Sequence, residues 1–453
     1  MTKARNTTKL IGNAGVVPGS YILSKLDLTT TKGQTFDIKQ LVTGITVTES
    51  IYMASIEADI VILDGVNLFE SLKLNGDEKI DMIVKIKELE SGDTERHQHT
   101  FYISEILDFA RKRNGSSTYL LRCVSRHSYI NNTKVLSKNR SGTIGTIIKN
   151  ICTSDLKIKP DNLDVNTSTS QSINCIIPAL RPFAAIKWLN TNAFTTTGAP
   201  FYFFETLNSK VKYKSYEDFV DSEPVTEYIH TPVLKTTIGS KEYFKETSRR
   251  IRKLSSDLNL SKYVATSEGA FASTTRSIDI STKSYKSQKY NYNNIKKLNS
   301  HDPFPGNRSN NDHYDGKPLD RISDGKNYFI SNNKLAYNDT NNFQSPSTVY
   351  MGMSQSYLST EETLIHDITV AGNFNIECGQ TILIKINKTS AQDNESDPID
   401  KMQSGRYLIS SIIHKFEDEY TLQMEIKTNS FGSDLTDNLI IEKSDGEPTE
   451  VTE

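Results

Sequence analysis

Residues 56–63 read IEADIVIL, and residues 80–86 read IDMIVKI. In the first stretch Ile56, Ala58, Ile60 and Ile62 alternate with Glu57, Asp59, Val61 and Leu63; in the second, Ile80, Met82, Val84 and Ile86 alternate with mostly charged residues. A period of two sends successive side chains to opposite faces, so both stretches predict strands with one buried face. Between them, Asn67 to Leu74 predicts a short helical plug. Asn75-Gly76-Asp77 predicts a turn, because glycine takes a positive φ without a Cβ clash. Further out, Thr100 to Asp108 and Thr118 to Val124 predict two more strands, joined at Arg113-Asn114-Gly115, a tight-hairpin signal. A closed or nearly closed β-barrel over residues 20–126, behind an N-terminal arm at 1–19, accommodates all of these.

The period then changes. Ile144, Ile147, Ile148 and Ile151 fall at i, i+3, i+4 and i+7 behind Ser141 or Thr143 as N-cap, which predicts an amphipathic helix over 142–151. A second helix is predicted from Pro182, a residue suited to the first helical position, with Phe183, Ile186 and Leu189 along one side. Trp188 of that helix is expected to pack against a neighbouring surface. Strands FYFFET and KVKYKS follow, paired across Leu207-Asn208-Ser209, so 127–225 reads as a small α+β domain.

Residues 226–290 predict a connector and the first strands of a second barrel. Ser248 to Lys262 is the most basic stretch of the chain, with Arg249, Arg250, Arg252, Lys253 and Lys262 against Asp257 alone, and reads as a solvated connector. Residues 291–360 form a long polar insertion: thirteen Asn lie between 291 and 350, with few aliphatics, so little apolar area can be buried there. Period two returns in TILIKI, GRYLISSIIH and YTLQMEI, the rest of the second barrel over 361–432. An acidic tail at 433–453, seven acids against Lys443, is expected to be loose. The predicted fold class is therefore mainly β with α+β insertions: two similar tube-like β-barrel domains, a small α+β domain and a long polar insertion.

Composition narrows the function classes. Lys plus Arg total 53 and Asp plus Glu total 55, a formal charge of -2, which gives no global field to hold nucleic acid or an anionic membrane. No long apolar run suggests export or membrane spanning, so a soluble protein made inside the cell is expected. Four cysteines, Cys123, Cys152, Cys175 and Cys378, lack C-x-x-C spacing and read as buried free thiols. The 21 Tyr and 18 Phe against one Trp suit pleated, half-buried surfaces.

Motifs for common chemistry are missing from the sequence: it contains no P-loop, G-x-G-x-x-G, H-E-x-x-H or G-x-S-x-G. His97 and His99 are two apart, a spacing metal sites use on a strand, but an exposed hairpin without a third ligand is the expectation. Glu57 and Asp59, the nearest approach to a glycosidase pair, fall on the wet side of a strand. No catalytic, cofactor-binding or metal-ligating residue is assigned.

The two β regions resemble each other. Phe101-Tyr102-Ile103-Ser104-Glu105-Ile106-Leu107 aligns with Tyr407-Leu408-Ile409-Ser410-Ser411-Ile412-Ile413, each followed by a turn and a strand opening at Tyr119 or Tyr420. Upstream, Gly76 to Ile86 matches Gly379 to Ile386. Three copies of a chain with two like barrels can form a ring of six like units with true three-fold symmetry. The residues singled out for barrel core and assembly are Ile56, Ile60, Ile62, Ile103, Ile106, Ile409 and Ile412.

A family resemblance runs alongside these readings. IIPALRPFAAIKWLNTNAF followed by GAPFYFFETLNSKVKYKSYEDFV resembles the second domain of the central baseplate hub proteins of T-even-like contractile-tail bacteriophages, with Pro182, Phe183, Ile186, Trp188, Leu189 and Phe203 as its motif residues. LNLSKYVATSEGAFASTTRSIDISTKSYKSQKY looks like the entry to their second barrel, and VAGNFNIECGQTILIKI and SGRYLISSIIHKF its closing strands. The resemblance covers most of 40–290 and 364–430; the insertion and the tail have no counterpart in it. It implies a non-enzymatic, homotrimeric symmetry adaptor in the tail baseplate of the virion, made in the host cytoplasm. The implied partners are the spike or tail lysozyme protein, the tail tube and tube-initiator proteins, and surrounding baseplate proteins. DNA would pass through without specific binding. A tail-associated cell-wall hydrolase and a carbohydrate-binding adhesin are the alternatives.

Overall fold

The computed structural model describes residues 18–87, 94–113, 115–169, 172–231, 241–258, 266–280, 282–291, 325–332, 346–362, 364–388 and 399–428. The expected N-terminal arm up to residue 17, the acidic tail and much of the Asn-rich insertion lie outside the described residues. The protein is mainly β.

The first β unit contains β1 (Tyr21–Thr29), β2 (Thr35–Asp37), β3 (Val42–Ser50), β4 (Glu57–Asp64), the short helix α1 (Leu68–Leu72), β5 (Lys79–Lys87), β6 (Thr94–Arg111) and β7 (Ser117–Ser125). Period-two burial makes it: Ala58, Ile60 and Ile62 of β4 face inward and are inaccessible to solvent, while Asp59 on the other face pairs with Arg122 at 3.1 Å. The strand order β3-β4-β7-β6-β5-β1-β2 is antiparallel throughout.

The middle domain holds α2 (Arg126–Asn132), β8 (Asn139–Thr143), α3 (Ile144–Asn150), β9 (Leu163–Val165), β10 (Ser172–Ile176), α4 (Pro182–Asn190), β11 (Phe201–Glu205), β12 (Val211–Ser215) and α5 (Tyr216–Val220). Thr143 rather than Ser141 caps α3, its hydroxyl accepting from Thr146 N. Ile144, Ile147, Ile148, Ile186 and Leu189 share a core of their own. The opposite face of the β11–β12 hairpin, with Tyr202, Phe204 and Leu207, packs into the core of the β units.

The second β unit contains β13 (Glu227–His230), α6 (Lys241–Ser248) and β14 (Lys253–Leu258). The chain then leaves it for β15 (Ala272–Asp279), β16 (Ser284–Asn291), β17 (Lys326–Asn332) and α7 (Pro346–Glu361). It returns with β18 (Leu364–Ala371), β19 (Thr381–Ile386), β20 (Gly405–Phe416) and β21 (Tyr420–Thr428). Two expectations are corrected here. The strands between Ala272 and Asn291 do not open the second barrel; with β17 they form a separate three-stranded sheet, order β16-β15-β17. The basic stretch is no mere connector either, because its centre is β14, the outer strand of the second unit.

The two units share one topology. In the first, the order β3-β4-β7-β6-β5 is antiparallel; in the second, β14-β18-β21-β20-β19 is antiparallel in the same sequence. The registers agree as well. Ile80 faces Phe101 as Ile382 faces Tyr407, and Ile60 faces Leu121 as Ile368 faces Met424. Both central hairpins carry a bulge at the aligned position, between Ile103 and Glu105 and between Ile409 and Ser411. The register also adjusts the sequence alignment: Ile103 N donates to Glu78 O as Ile409 N donates to Gln380 O. Gly76 therefore corresponds to Cys378, one place before Gly379. The units differ in the sixth strand, since β1 runs antiparallel to β5 while β13 runs parallel to β19.

Neither unit is a closed ladder: of the closed or nearly closed barrels expected from the sequence, both units take the open form. No ladder joins β2 to β3; a turn spans the gap, with Ile38 N donating to Leu26 O at 3.0 Å and Leu63 N to Leu41 O at 2.7 Å. In the second unit, among the described residues, two backbone bonds bridge β13 to the residues entering β14: Ile229 N to Arg249 O and Ile251 N to Ile229 O, both 2.9 Å. A twisted sheet of few strands curls this way without a continuous edge-to-edge pairing.

Candidate functional site

The residues that join the two units are the candidate site, because they set how one unit is held against its like. β20 does the joining. Its first residues pair with β19, Thr381 facing Leu408 and Ile384 facing Gly405. Past the bulge at Ser410 the same edge pairs with β3, from Ser411 facing Ser50 to Phe416 facing Ile45. A bulge bends the strand and increases its twist, which lets one strand serve two sheets in succession.

Glu49 lies at the centre of this junction and is inaccessible to solvent. Its carboxylate accepts from Leu207 N at 2.6 Å and Cys378 N at 3.0 Å, with His414 Nε2 at 3.7 Å. The β11–β12 hairpin of the middle domain is thereby tied to both β units. It adds Lys212, whose ammonium sits 2.6 Å from Glu377, and Asn208, which donates to the same carboxylate at 2.6 Å. Burying a carboxylate is tolerable when its oxygens are hydrogen-bonded, as they are here.

Phe374, between β18 and β19, gathers rings from both units. His97 of β6 stacks on it with centroids 4.0 Å apart, and Tyr420 of β21 lies at 4.9 Å. His99, Phe416 and His414 complete the cluster at 6.0–6.3 Å. The chain passes Tyr420 so closely at Gly372 that a Cβ there would stand 2.0 Å from the ring. Burial, with His97 and His414 adding to it, pushes the His99 imidazole down to about 3. Burial also pushes the Cys378 thiol well up.

A second polar cluster anchors the end of α7 to the junction. Glu361 is buried and accepts from the hydroxyls of Tyr52 and Tyr202, the latter at 2.6 Å. Burial raises the Glu361 carboxyl, against the pull of those hydroxyls. Lys427 beside it reaches Glu362 at 2.7 Å and lies 4.9 Å over the Tyr52 ring. The polar insertion thus buries part of itself, contrary to its composition, because its described helix α7 supplies Tyr357 and small Ser and Thr side chains to the interior.

Ile56, Ile60, Ile62, Ile103, Ile409 and Ile412 are buried in the common core, and Ile106 is half-buried against it. Pro182, Ile186 and Leu189 are buried on the inner face of α4, and Phe183 tilts against Phe203 at 6.0 Å. Trp188, expected to pack on a neighbouring surface, is 38% exposed, since the buried stripe of α4 runs through Ala185, Ile186 and Leu189. His97 and His99 are not on an exposed hairpin but under Phe374, which contact between distant segments decides. Glu49, Phe374 and His414 escaped sequence reasoning. For Glu49 a signal existed: it continues the inward register of Ile45 and Val47, so a charge occupies an apolar position.

Among the described residues no group of three or more His, Cys, Asp or Glu side chains could hold a metal ion. The four cysteines are buried and free. No described helix is long and apolar enough to cross a membrane.

No family model matches the chain, and no curated protein matches its sequence. Solved structures with a similar course include a tail protein from Neisseria meningitidis, at 10% identity and a TM-score of 0.48, over 90% of this chain and 96% of that one. A second is the 43 kDa tail protein of prophage MuSo2 from Shewanella oneidensis, at 10% identity and a TM-score of 0.47, over 89% of this chain and 97% of that one. A third is an Escherichia coli component of the type VI secretion system described as similar to the bacteriophage T4 tail proteins gp27 and gp5, at 9% identity and a TM-score of 0.37, over 85% and 73%. At identities this low, what the chain does rests on its own geometry.

Proposed function

We propose that this chain is the central baseplate hub of a contractile phage tail, a homotrimer whose six like β units ring a common axis. One face of that ring meets a six-fold tail tube; the other carries a three-fold spike that punctures the cell and often bears the lysozyme. Tube-initiator and outer baseplate proteins surround it, and the bore lets DNA through without specific binding. Its work is geometric and it is not an enzyme.

The observation that carries this reading is the repeat: five strands in the same order, twice in one chain, with the same register through the shared bulge until a second bulge, between Leu107 and Ala110, sets β6 apart from β20. A protein needing only a fold would not require two such units held edge to edge; a three-fold body that must present six similar faces does. The buried Glu49 and Phe374 clusters fix the two units relative to each other, as a register-keeping part requires.

Labelling the chain in intact particles tests the assignment. Label at the junction of tail tube and spike is expected, and label on the fibres or capsid would overturn it. The purified chain is expected to leave peptidoglycan intact and to bind no cell-wall sugar; clearing of cell wall would favour a hydrolase, and saccharide capture an adhesin.

A further inference from the structure

We infer that neighbouring copies join by strand pairing between β6 from Glu105 to Leu107 in one copy and β14 in the next, in the register that β20 and β3 use within the chain; the carried register stops there, because β6 has a second bulge between Leu107 and Ala110 that β20 lacks. The inference rests on the trimeric reading above and names the surface that makes the ring.

Inside one chain the link runs from β20 of the second unit to β3 of the first. By the repeat, β20 corresponds to β6 and β3 to β14. The corresponding link, β6 of a first unit to β14 of a second, is not made within the chain: β14 ends the strand order, pairing only with β18, and β5 leaves β6 at Tyr102. Among the described residues, the β6 edge beyond Ser104 and the outer edge of β14 carry no ladder.

The burial of equivalent residues registers what is missing. Ser410 and Ile412, which β3 covers, are inaccessible to solvent. Their counterparts Ser104 and Ile106 are exposed and half-buried, and Glu105, Asp108, Phe109, Ala110 and Arg111 beyond them are exposed. On β14, Ser255, Ser256 and Asp257 are likewise exposed. A groove of about 390 Å³ opens beside the bare β6 edge, where Phe69, Leu74, Ile106 and Phe109 are mixed with Asn75, Ser104, Glu105 and Arg111. An unprotected strand edge is a template for another strand. Each copy offers one edge of each kind, so the contact is head to tail and closes into a ring if the rotation allows.

The register follows from the repeat. Ile412 faces Glu49 and Ile413 faces Thr48; carried across, Ile106 faces Leu258 and Leu107 faces Asp257 of the next copy. Two double variants of the full chain test this, Ile106→Cys with Leu258→Cys and Leu107→Cys with Asp257→Cys. Facing pairs alternate between wide and narrow spacing in an antiparallel ladder, so one of the two variants places its thiols within disulfide reach. The native cysteines are buried and leave the unmodified chain as a blank. After mild oxidation, bands of two and three linked chains on a non-reducing gel are expected from at least one variant. A native trimer in which neither variant links its chains would overturn this interface while leaving the trimeric hub intact. Ladders running well beyond three would support the pairing and contradict the hub, and a chain that stays single would end both.

Discussion

Ser104 and Ser410 occupy the extra position of equivalent β-bulges and make the same bond: Ser104 Oγ donates to Arg122 O at 3.1 Å, and Ser410 Oγ donates to Glu425 O at 3.0 Å. A shared strand order can arise whenever antiparallel strands curl up, but a shared bulge with a shared side-chain bond is a much narrower coincidence. Bulges re-aim a strand: at Ser410 the outer edge of β20 leaves β19 for β3, and at Ser104 the outer edge of β6 leaves β5. The difference between the two serines is cover: β3 lies over Ser410, and within the chain no described strand lies over Ser104.

That difference predicts unequal losses on truncation. Ser410→Ala removes a buried donor and is expected to lower stability by about 1–3 kcal/mol, whereas exposed Ser104→Ala should change it by less than about 0.5 kcal/mol. Urea midpoints of the two variants under monomeric, dilute conditions measure this; equal losses would contradict the assigned cover.

Ile60→Asp and Ile412→Asp each put an unpaired carboxylate into the common core, where both isoleucines are inaccessible to solvent. A loss of several kcal/mol and failure to assemble are expected. Thermal melting and native mass report both, and an intact assembly from either variant would contradict the inward-facing register.

Glu49 accepts from two buried backbone N–H groups, those of Leu207 and Cys378. Glu49→Ala leaves both unsatisfied, at about 1–3 kcal/mol each, while Glu49→Gln keeps one acceptor oxygen. The alanine variant should therefore unfold at clearly lower urea than the glutamine variant, and the reverse order would rule out this role for the carboxylate.

His99 makes stability fall in acid. Unfolded, it takes up a proton below its ordinary value of 6.5; folded, burial resists protonation until about 3. Its contribution is fully present above 6.5 and is lost as pH falls toward 3, by at most about 1.4 kcal/mol per pH unit. His99→Leu should therefore flatten the fall between pH 6 and 4. An unchanged slope would show that His99 titrates normally.

Much of the fold is legible in the sequence because alternation is a local signal. Ile56 to Ile62 and the TILIKI and YTLQMEI runs each declare a strand and its buried face without reference to anything distant. The α4 helix is equally plain from Pro182 and the spacing of Ile186 and Leu189. What is hidden depends on contacts between far-apart segments. β15 and β16, rich in Ser and Thr, look like any polar hairpin until β17 from the Asn-rich segment pairs with β15. His97 and His99 look exposed until Phe374 covers them. The open seams of the β units follow from strand curvature, which alternation does not encode. The junction is legible only in outline: the repeat announces two like units, but that β20 bridges to β3 becomes visible only in three dimensions.

The native mass of the purified full-length chain, measured at micromolar concentration, tests the central claim most directly. Three chains per particle are expected, in keeping with six like units around one axis. A chain that stays single across the accessible concentration range, or that closes as a dimer, would contradict it.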